Sequence, residues 1–120
     1  MGSGQPAPLR PSDIRPVNDD DLRYALDGDG YGAGGHRSGT GTPGQTEFPY
    51  DWDESMLSEA IEAVLYGGAA SIDRSKDGVI FRGLHRSVIL AAPVHDFGRS
   101  WEVAAAYSLR GVGVLRTAVA

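Results

Sequence analysis

The chain contains no cysteine, which excludes disulfide bonds and every metal site that is built from thiolates. It also lacks an apolar run of the ~20 residues that a membrane-spanning helix needs, and it shows no secretion signal. Basic residues are outnumbered, with 11 lysines and arginines against 16 aspartates and glutamates, so the formal net charge is −5. A protein that coats nucleic acid needs a broadly basic surface, so any contact with a phosphate polymer must be local.

The composition that remains is that of one small globular domain, with 120 residues of which 41% are hydrophobic and 22% are charged. Residues 1–4 resemble an expression-tag remnant, and four prolines follow between residues 5 and 18. Proline lacks a backbone donor and disfavours helix at the preceding residue. We therefore expect a remnant and an extended proline-rich arm over 1–18, and a single domain over 19–120. We expect this domain to be a monomer without a membrane partner.

Two helices are predicted, with a loop between them. Asn18 and the three aspartates after it are typical of a helix start, because they accept hydrogen bonds from free N–H groups and complement the helix dipole. A short helix is expected over 22–26. Eight of the 17 glycines lie between residues 28 and 44, which predicts a loop. Asp53 is the expected cap of a longer helix over 54–66, where apolar residues recur at helical spacing.

The rest of the chain is predicted to form strands. Asp77-Gly78 is a turn signal, and four segments rich in apolar residues follow it, at 79–81, 88–90, 101–107 and 111–116. Helices that precede a series of consecutive strands indicate an α+β fold with an antiparallel sheet. We expect about four strands.

His36 is the candidate for chemistry. Cleavage of RNA without a metal needs a proton acceptor for the 2′-OH and a proton donor for the leaving 5′-oxygen, and an imidazole titrates near neutral pH. Backbone N–H groups of the glycine-rich loop could hold a phosphate, together with the hydroxyls of Ser38, Thr40 and Thr46. A solvent-exposed loop histidine without a function is the ordinary alternative.

The chain resembles the bacterial EndoU-type ribonuclease domain over three segments. They are HRSGTGTPGQTEFPYDW from His36 to Trp52, YALDGD from Tyr24 to Asp29, and AAYS from Ala105 to Ser108. Such domains form the toxic C-terminus of secreted proteins used in interbacterial competition. The resemblance implies an endoribonuclease, classed as a hydrolase or a lyase, that needs no metal or cofactor. It also implies delivery into the cytoplasm of a target cell and a cognate immunity protein as partner.

The resemblance also assigns residues. It implies that His36 is the general acid or base, that Tyr107 orients the nucleotide, and that Tyr24 stands where the family has a second catalytic histidine. The RNA, which could be a tRNA, is expected to contact Arg37, Ser38, Thr40, Gln45 and Thr46.

Three of the family's positions are altered here, with Tyr24 for histidine, Gln45 for lysine and Ala105 for threonine. A free phenol has a pKa near 10 and is a poor base, and glutamine carries no charge. Two alternatives therefore stay open beside a nuclease. One is an inactive or disarmed domain that binds RNA or an immunity protein, and the other is an enzyme for a different phosphodiester. His85 is a weaker candidate for the missing imidazole.

Overall fold

The computed structural model describes residues 11–28, 35–41 and 44–116. These residues form two α-helices and two antiparallel sheets, so the predicted α+β fold is confirmed. The main sheet has five strands, one more than the four or so expected from the sequence. No helix within the described ranges is long and apolar enough to cross a membrane.

The first helix, α1, spans Asp19–Asp27. The Asn18 side chain accepts a hydrogen bond from the N–H of Asp21, and the Asp21 side chain accepts one from the N–H of Asn18. This reciprocal cap confirms the predicted helix start and satisfies two donors that a helix end leaves free. The helix ends at Gly28, whose N–H donates to the carbonyl of Tyr24. Its buried face consists of Leu22, Ala25 and Leu26.

The second helix, α2, spans Glu54–Ala63 and is capped by the Asp53 side chain, as predicted. It continues into a wider π-type turn over Val64–Gly68, where Gly67 has φ 127°. Only a residue without a Cβ adopts that conformation readily, so the glycine pair ends the helix. Three side chains of α2 are buried: Leu57, Ala60 and Ile61.

The described residues form seven strands, of which the first lies between the two helices and the other six follow α2: β1 (Thr46–Glu47), β2 (Ala69–Arg74), β3 (Gly78–His85), β4 (Val88–Asp96), β5 (Trp101–Val103), β6 (Tyr107–Gly111) and β7 (Leu115–Arg116). The main sheet has the order β2-β3-β4-β5, and β6 also pairs with β4. The short strands β1 and β7 form a separate antiparallel pair.

The strand predicted over 101–107 is divided into β5 and β6. Its first part pairs with the end of β4 and its last part with the beginning of β4. Between them the N–H of Ala104 donates to the carbonyl of Pro93 at 2.9 Å. The strand predicted over 111–116 is also divided. Gly111 is the last residue of β6, and Leu115–Arg116 form the separate strand β7, which pairs with β1.

The core lies between one face of the main sheet and the two helices. Phe81, Leu90 and Val94 of the sheet belong to the same buried cluster as Leu57 and Ile61 of α2. The opposite sheet face is more open, and Leu84 is 64% exposed there. The sheet therefore has one face for the core and another that a ligand can reach.

The proline-rich arm is packed against the domain. Ile14 is only 4% exposed and forms a parallel bridge with Trp101 of β5. The Arg15 guanidinium lies 3.1 Å from Asp21 of α1 and 2.9 Å from Glu102 of β5. Ile14 and Arg15 of the expected arm therefore pack against the domain expected over 19–120. Residues 1–10 of the expected arm lie outside the described residues.

Candidate functional site

The loop that carries His36 is fixed to the end of α1 by its backbone. Three successive N–H groups of the loop donate to three successive carbonyls of the helix: Gly35 to Tyr24 (3.2 Å), His36 to Ala25 (2.8 Å) and Arg37 to Leu26 (2.8 Å). The last carbonyls of a helix have no partner within it, so the loop satisfies them and gains a fixed position. The backbones at positions 24 and 36 are neighbours for this reason.

The imidazole of His36 is oriented by β1. Its Nδ1 atom lies 2.8 Å from the carbonyl oxygen of Thr46, and the His36 carbonyl accepts the N–H of Phe48 at 2.7 Å. A carbonyl oxygen can only accept a hydrogen bond, so Nδ1 carries the proton. In the neutral ring the lone pair is then on Nε2, which is the atom that can exchange a proton with a substrate.

Tyr107 lies beside His36. The two ring centroids are 5.8 Å apart with an interplanar angle of 33°. On its other side the imidazole meets the Phe48 ring at 6.4 Å, edge to face. Phe48 stacks on Trp52 at 5.5 Å, and Trp52 meets His85 at 6.3 Å. Phe48 and Trp52 are both buried, so they support His36 from the core side.

The amides of the glycine-rich loop already bind an anion, the carboxylate of Glu47. The N–H of Gly39 donates to Oε1 at 2.8 Å, and that of Gly41 donates to Oε2 at 2.7 Å. Glu47 is 5% exposed. The hydroxyls of Thr40 and Thr46 donate to the carbonyls of Arg37 and Ser108. These four donors, which the sequence suggested for a phosphate, are thus used within the protein.

Arg37 is held in an ion pair. Its Nε and Nη2 atoms lie 2.7 and 3.0 Å from the two carboxylate oxygens of Asp27, and Glu54 lies 3.7 Å away. The hydrogen bond from Arg37 lowers the pKa of the Asp27 carboxyl, and the same bond raises the pKa of Arg37. The charge of the guanidinium is therefore largely balanced before any RNA approaches.

Neither the Ser38 nor the Gln45 side chain forms a hydrogen bond with His36 among the described residues. Ser38 lines a cleft of 620 Å³ together with Trp52 and Arg86, whereas the Oε1 atom of Gln45 is buried without a hydrogen-bond partner among the described residues. His36 lines neither this cleft nor a second one of 420 Å³ on the open sheet face. His36 is thus half-buried between the loop and the sheet, outside both clefts.

A second imidazole does not lie next to His36. His85 lies 3.2 Å from Glu59 and reaches His36 only through the rings of Trp52 and Phe48. Tyr24 is half-buried on α1, and its ring makes no ring contact with His36 within the described ranges. Those ranges also hold no cluster of three or more side chains suited to a metal ion.

Two residues that build the site, Glu47 and Ser108, were not among those predicted from the sequence. Glu47 holds the loop, and the fully buried Ser108 donates its hydroxyl to the Glu47 carbonyl at 3.0 Å. The sequence does hold a signal for Glu47. A carboxylate that is buried beside Phe48 needs hydrogen-bond donors, and the glycine-rich loop that precedes it can supply backbone N–H groups. No such local signal exists for Ser108, whose partner lies far away in the sequence.

Comparison with known proteins gave no relative for this chain: no family model matches it, and no match was found among curated proteins or solved structures.

Proposed function

We propose that this domain is an EndoU-like toxin that cleaves RNA by transphosphorylation without a metal ion. The 2′-oxygen attacks the adjacent phosphorus, the bond from phosphorus to the 5′-oxygen breaks, and the products are a 2′,3′-cyclic phosphate and a 5′-hydroxyl. The proton of the 2′-OH must leave, and the departing 5′-oxygen must gain one. His36 serves one of these two transfers through Nε2, solvent water serves the other, and Tyr107 orients the nucleotide.

One observation carries the proposal, namely the bond between His36 Nδ1 and the Thr46 carbonyl at 2.8 Å. It fixes the ring so that Nε2 is free of the proton, and it does so next to the half-buried ring of Tyr107. An oriented imidazole beside an aromatic side chain that can stack on a base is what such a reaction requires. A tRNA is one candidate substrate, and a cognate immunity protein would cover this surface.

The test uses total RNA and purified tRNA incubated with the domain in EDTA, followed by analysis of the 3′ ends. Cyclic phosphate ends are expected with the unmodified protein. His36→Gln should lower the rate at least ~10²-fold, which is the usual contribution of a positioned proton-transfer group. His95→Gln is the matched control, because this histidine lies on β4 beside Phe97, and it should leave the rate unchanged.

The second candidate is a binding domain without catalysis. It is favoured by the ring contacts of His36, which include Tyr107 and Phe48 but no second imidazole, and by the Glu47 carboxylate that occupies the amides of Gly39 and Gly41. Such a domain would bind RNA or an immunity protein through the same surface. Intact RNA in the assay above, together with saturable binding of RNA or of the immunity protein, would select this candidate.

A further inference from the structure

The open face of the main sheet connects the His36 site to two arginines. Antiparallel pairing places Tyr107 opposite Ala91 and Ala91 opposite Arg82. Directly opposite residues point to the same face of a sheet, and neighbouring strands are ~4.8 Å apart. Arg82 therefore lies two strands from Tyr107 on the same face, at roughly 10 Å.

A groove of 420 Å³ occupies this face, a size within the range of small-molecule sites. Its lining combines aliphatic side chains with two guanidinium groups and one hydroxyl: Leu84, Ile89, Leu109, Arg82, Arg110 and Ser71. Ala91 is fully buried although it belongs to the open face, so the neighbouring side chains close over it.

An irregularity in β6 contributes two of the lining residues. Ser108 pairs with Leu90, whereas Arg110 pairs with Ile89, so Leu109 is an extra residue between them. Such a bulge re-aims side chains and is frequent beside functional sites. Here it brings both Leu109 and Arg110 to the groove.

The charge of this face differs from that of the whole chain, whose net charge is −5. Arg110 is exposed and forms no ion pair among the described residues, whereas Arg82 forms an ion pair with Asp73, so Arg110 supplies the excess positive charge of this face. A guanidinium has five N–H donors, so Arg82 retains donors for another acceptor. Two arginines over aliphatic side chains suit a ligand that alternates phosphates with the flat faces of bases.

We propose that this groove binds the nucleotides that flank the scissile phosphate of a single-stranded RNA. Arg82 and Arg110 contact phosphates, and the aliphatic side chains contact the bases. The strand continues along the face to Tyr107 and His36. This inference rests on the proposed function, because it assumes that RNA is the substrate, but its binding step is separate from cleavage.

The test measures the affinity of a fluorescent single-stranded oligonucleotide with 2′-O-methyl groups, which lacks the nucleophile and cannot be cleaved. The double variant R82Q/R110Q should bind at least ~10-fold more weakly than the unmodified protein. The slope of log K against the logarithm of the salt concentration should become shallower by about 1.4. Each phosphate contact with a single strand contributes about 0.7 to this slope, and the variant loses two. The matched control is R23Q/R99Q, which removes the same charge from other surfaces and should retain most of the affinity.

Two further variants separate the outcomes. R110Q alone keeps the contact of Arg82 with Asp73 and should give a smaller loss with an unchanged melting temperature. H36Q should bind normally while losing cleavage. Binding with no cleavage by any variant would refute the nuclease and keep the groove. Equal losses in R82Q/R110Q and R23Q/R99Q, unchanged affinity in R82Q/R110Q, or no binding by the unmodified protein would overturn the groove.

Discussion

His36 and Thr46 are joined by a hydrogen bond from a ring nitrogen to a main-chain carbonyl oxygen, 2.8 Å long. The acceptor belongs to the two-residue strand β1, and the donor belongs to a loop held against α1. The orientation of the imidazole thus depends on two elements that are separate in the sequence. Several measurable properties depend on this arrangement.

The first expected property is the tautomer of the neutral ring. Because the Thr46 carbonyl can only accept, His36 should carry its proton on Nδ1, whereas a free imidazole samples both forms. Long-range ¹H–¹⁵N NMR spectra at a pH above the titration of the ring distinguish the two nitrogens. His95, which has no such carbonyl partner among the described contacts, is the internal reference. A protonated Nε2 in neutral His36 would contradict the geometry described above.

Tyr24→His should raise ribonuclease activity if the lack of a second histidine at position 24 is what chiefly limits that activity. The carbonyl of Tyr24 accepts the N–H of Gly35, so a new imidazole would stand on the helix turn next to His36. A positioned acid or base contributes ~10²–10⁴-fold, and a gain of about 10²-fold is expected in a fluorogenic RNA assay with chelator. Should the variant stay silent, Gln45→Lys is to be added. A silent protein with both changes and an intact fold would refute the nuclease.

Leu57→Ala and Ile61→Ala should each lower the free energy of unfolding by about 2–5 kcal/mol, because both side chains are fully buried and their truncation leaves a cavity. Denaturant titration measures the loss. Glu62→Ala on the exposed side of α2 is the control, with an expected change within ~0.5 kcal/mol. A loss below ~1 kcal/mol for either buried residue would contradict the packing of α2.

The ion pair of Asp27 and Arg37 predicts a pH dependence of stability. The hydrogen bond from Arg37 lowers the pKa of Asp27 below its ordinary value of 3.8. A carboxyl whose pKa is lower in the folded state stabilises the fold above the unfolded pKa, and this stabilisation is lost as the pH falls through the folded pKa. Asp27→Asn should therefore be less stable at pH 7, and the two proteins should converge below pH 3.8.

The size of this effect is limited by exposure. The side chain of Asp27 is 47% exposed, and pairs of this kind contribute ~0.2–1 kcal/mol. Thermal melts of both proteins at pH 7 and at low pH, at constant ionic strength, measure it. Asp51→Asn serves as the control, because Asp51 takes part in no ion pair among the described residues. A difference between Asp27→Asn and the unmodified protein that does not change with pH would contradict the pairing.

Local patterns were sufficient for the helices. Asn18 and Asp53 cap the helices that were expected after them, because a cap acts on donors only two or three residues away. The apolar spacing of α2 likewise identified the face that is buried. The glycine pair Gly67-Gly68 gave its end to within a few residues, and the π-type turn there was not foreseen.

Long-range pairing could not be predicted in the same way. Ile14 lies among prolines and was expected in an arm, but its burial depends on Trp101. The strand β1 is only two residues long and exists through its pairing with β7, which no periodicity in so short a segment can indicate. Spacing in the sequence likewise says nothing about the contact between the rings of His36 and Tyr107.

The pairing of β1 with β7 has a consequence for the order of folding. Thr46, the acceptor for His36, lies opposite Arg116, which is far from it in the sequence. Contacts between distant residues form slowly because the loop between them must close first. The imidazole is consequently expected to reach its final orientation late in folding, when β7 has paired with β1.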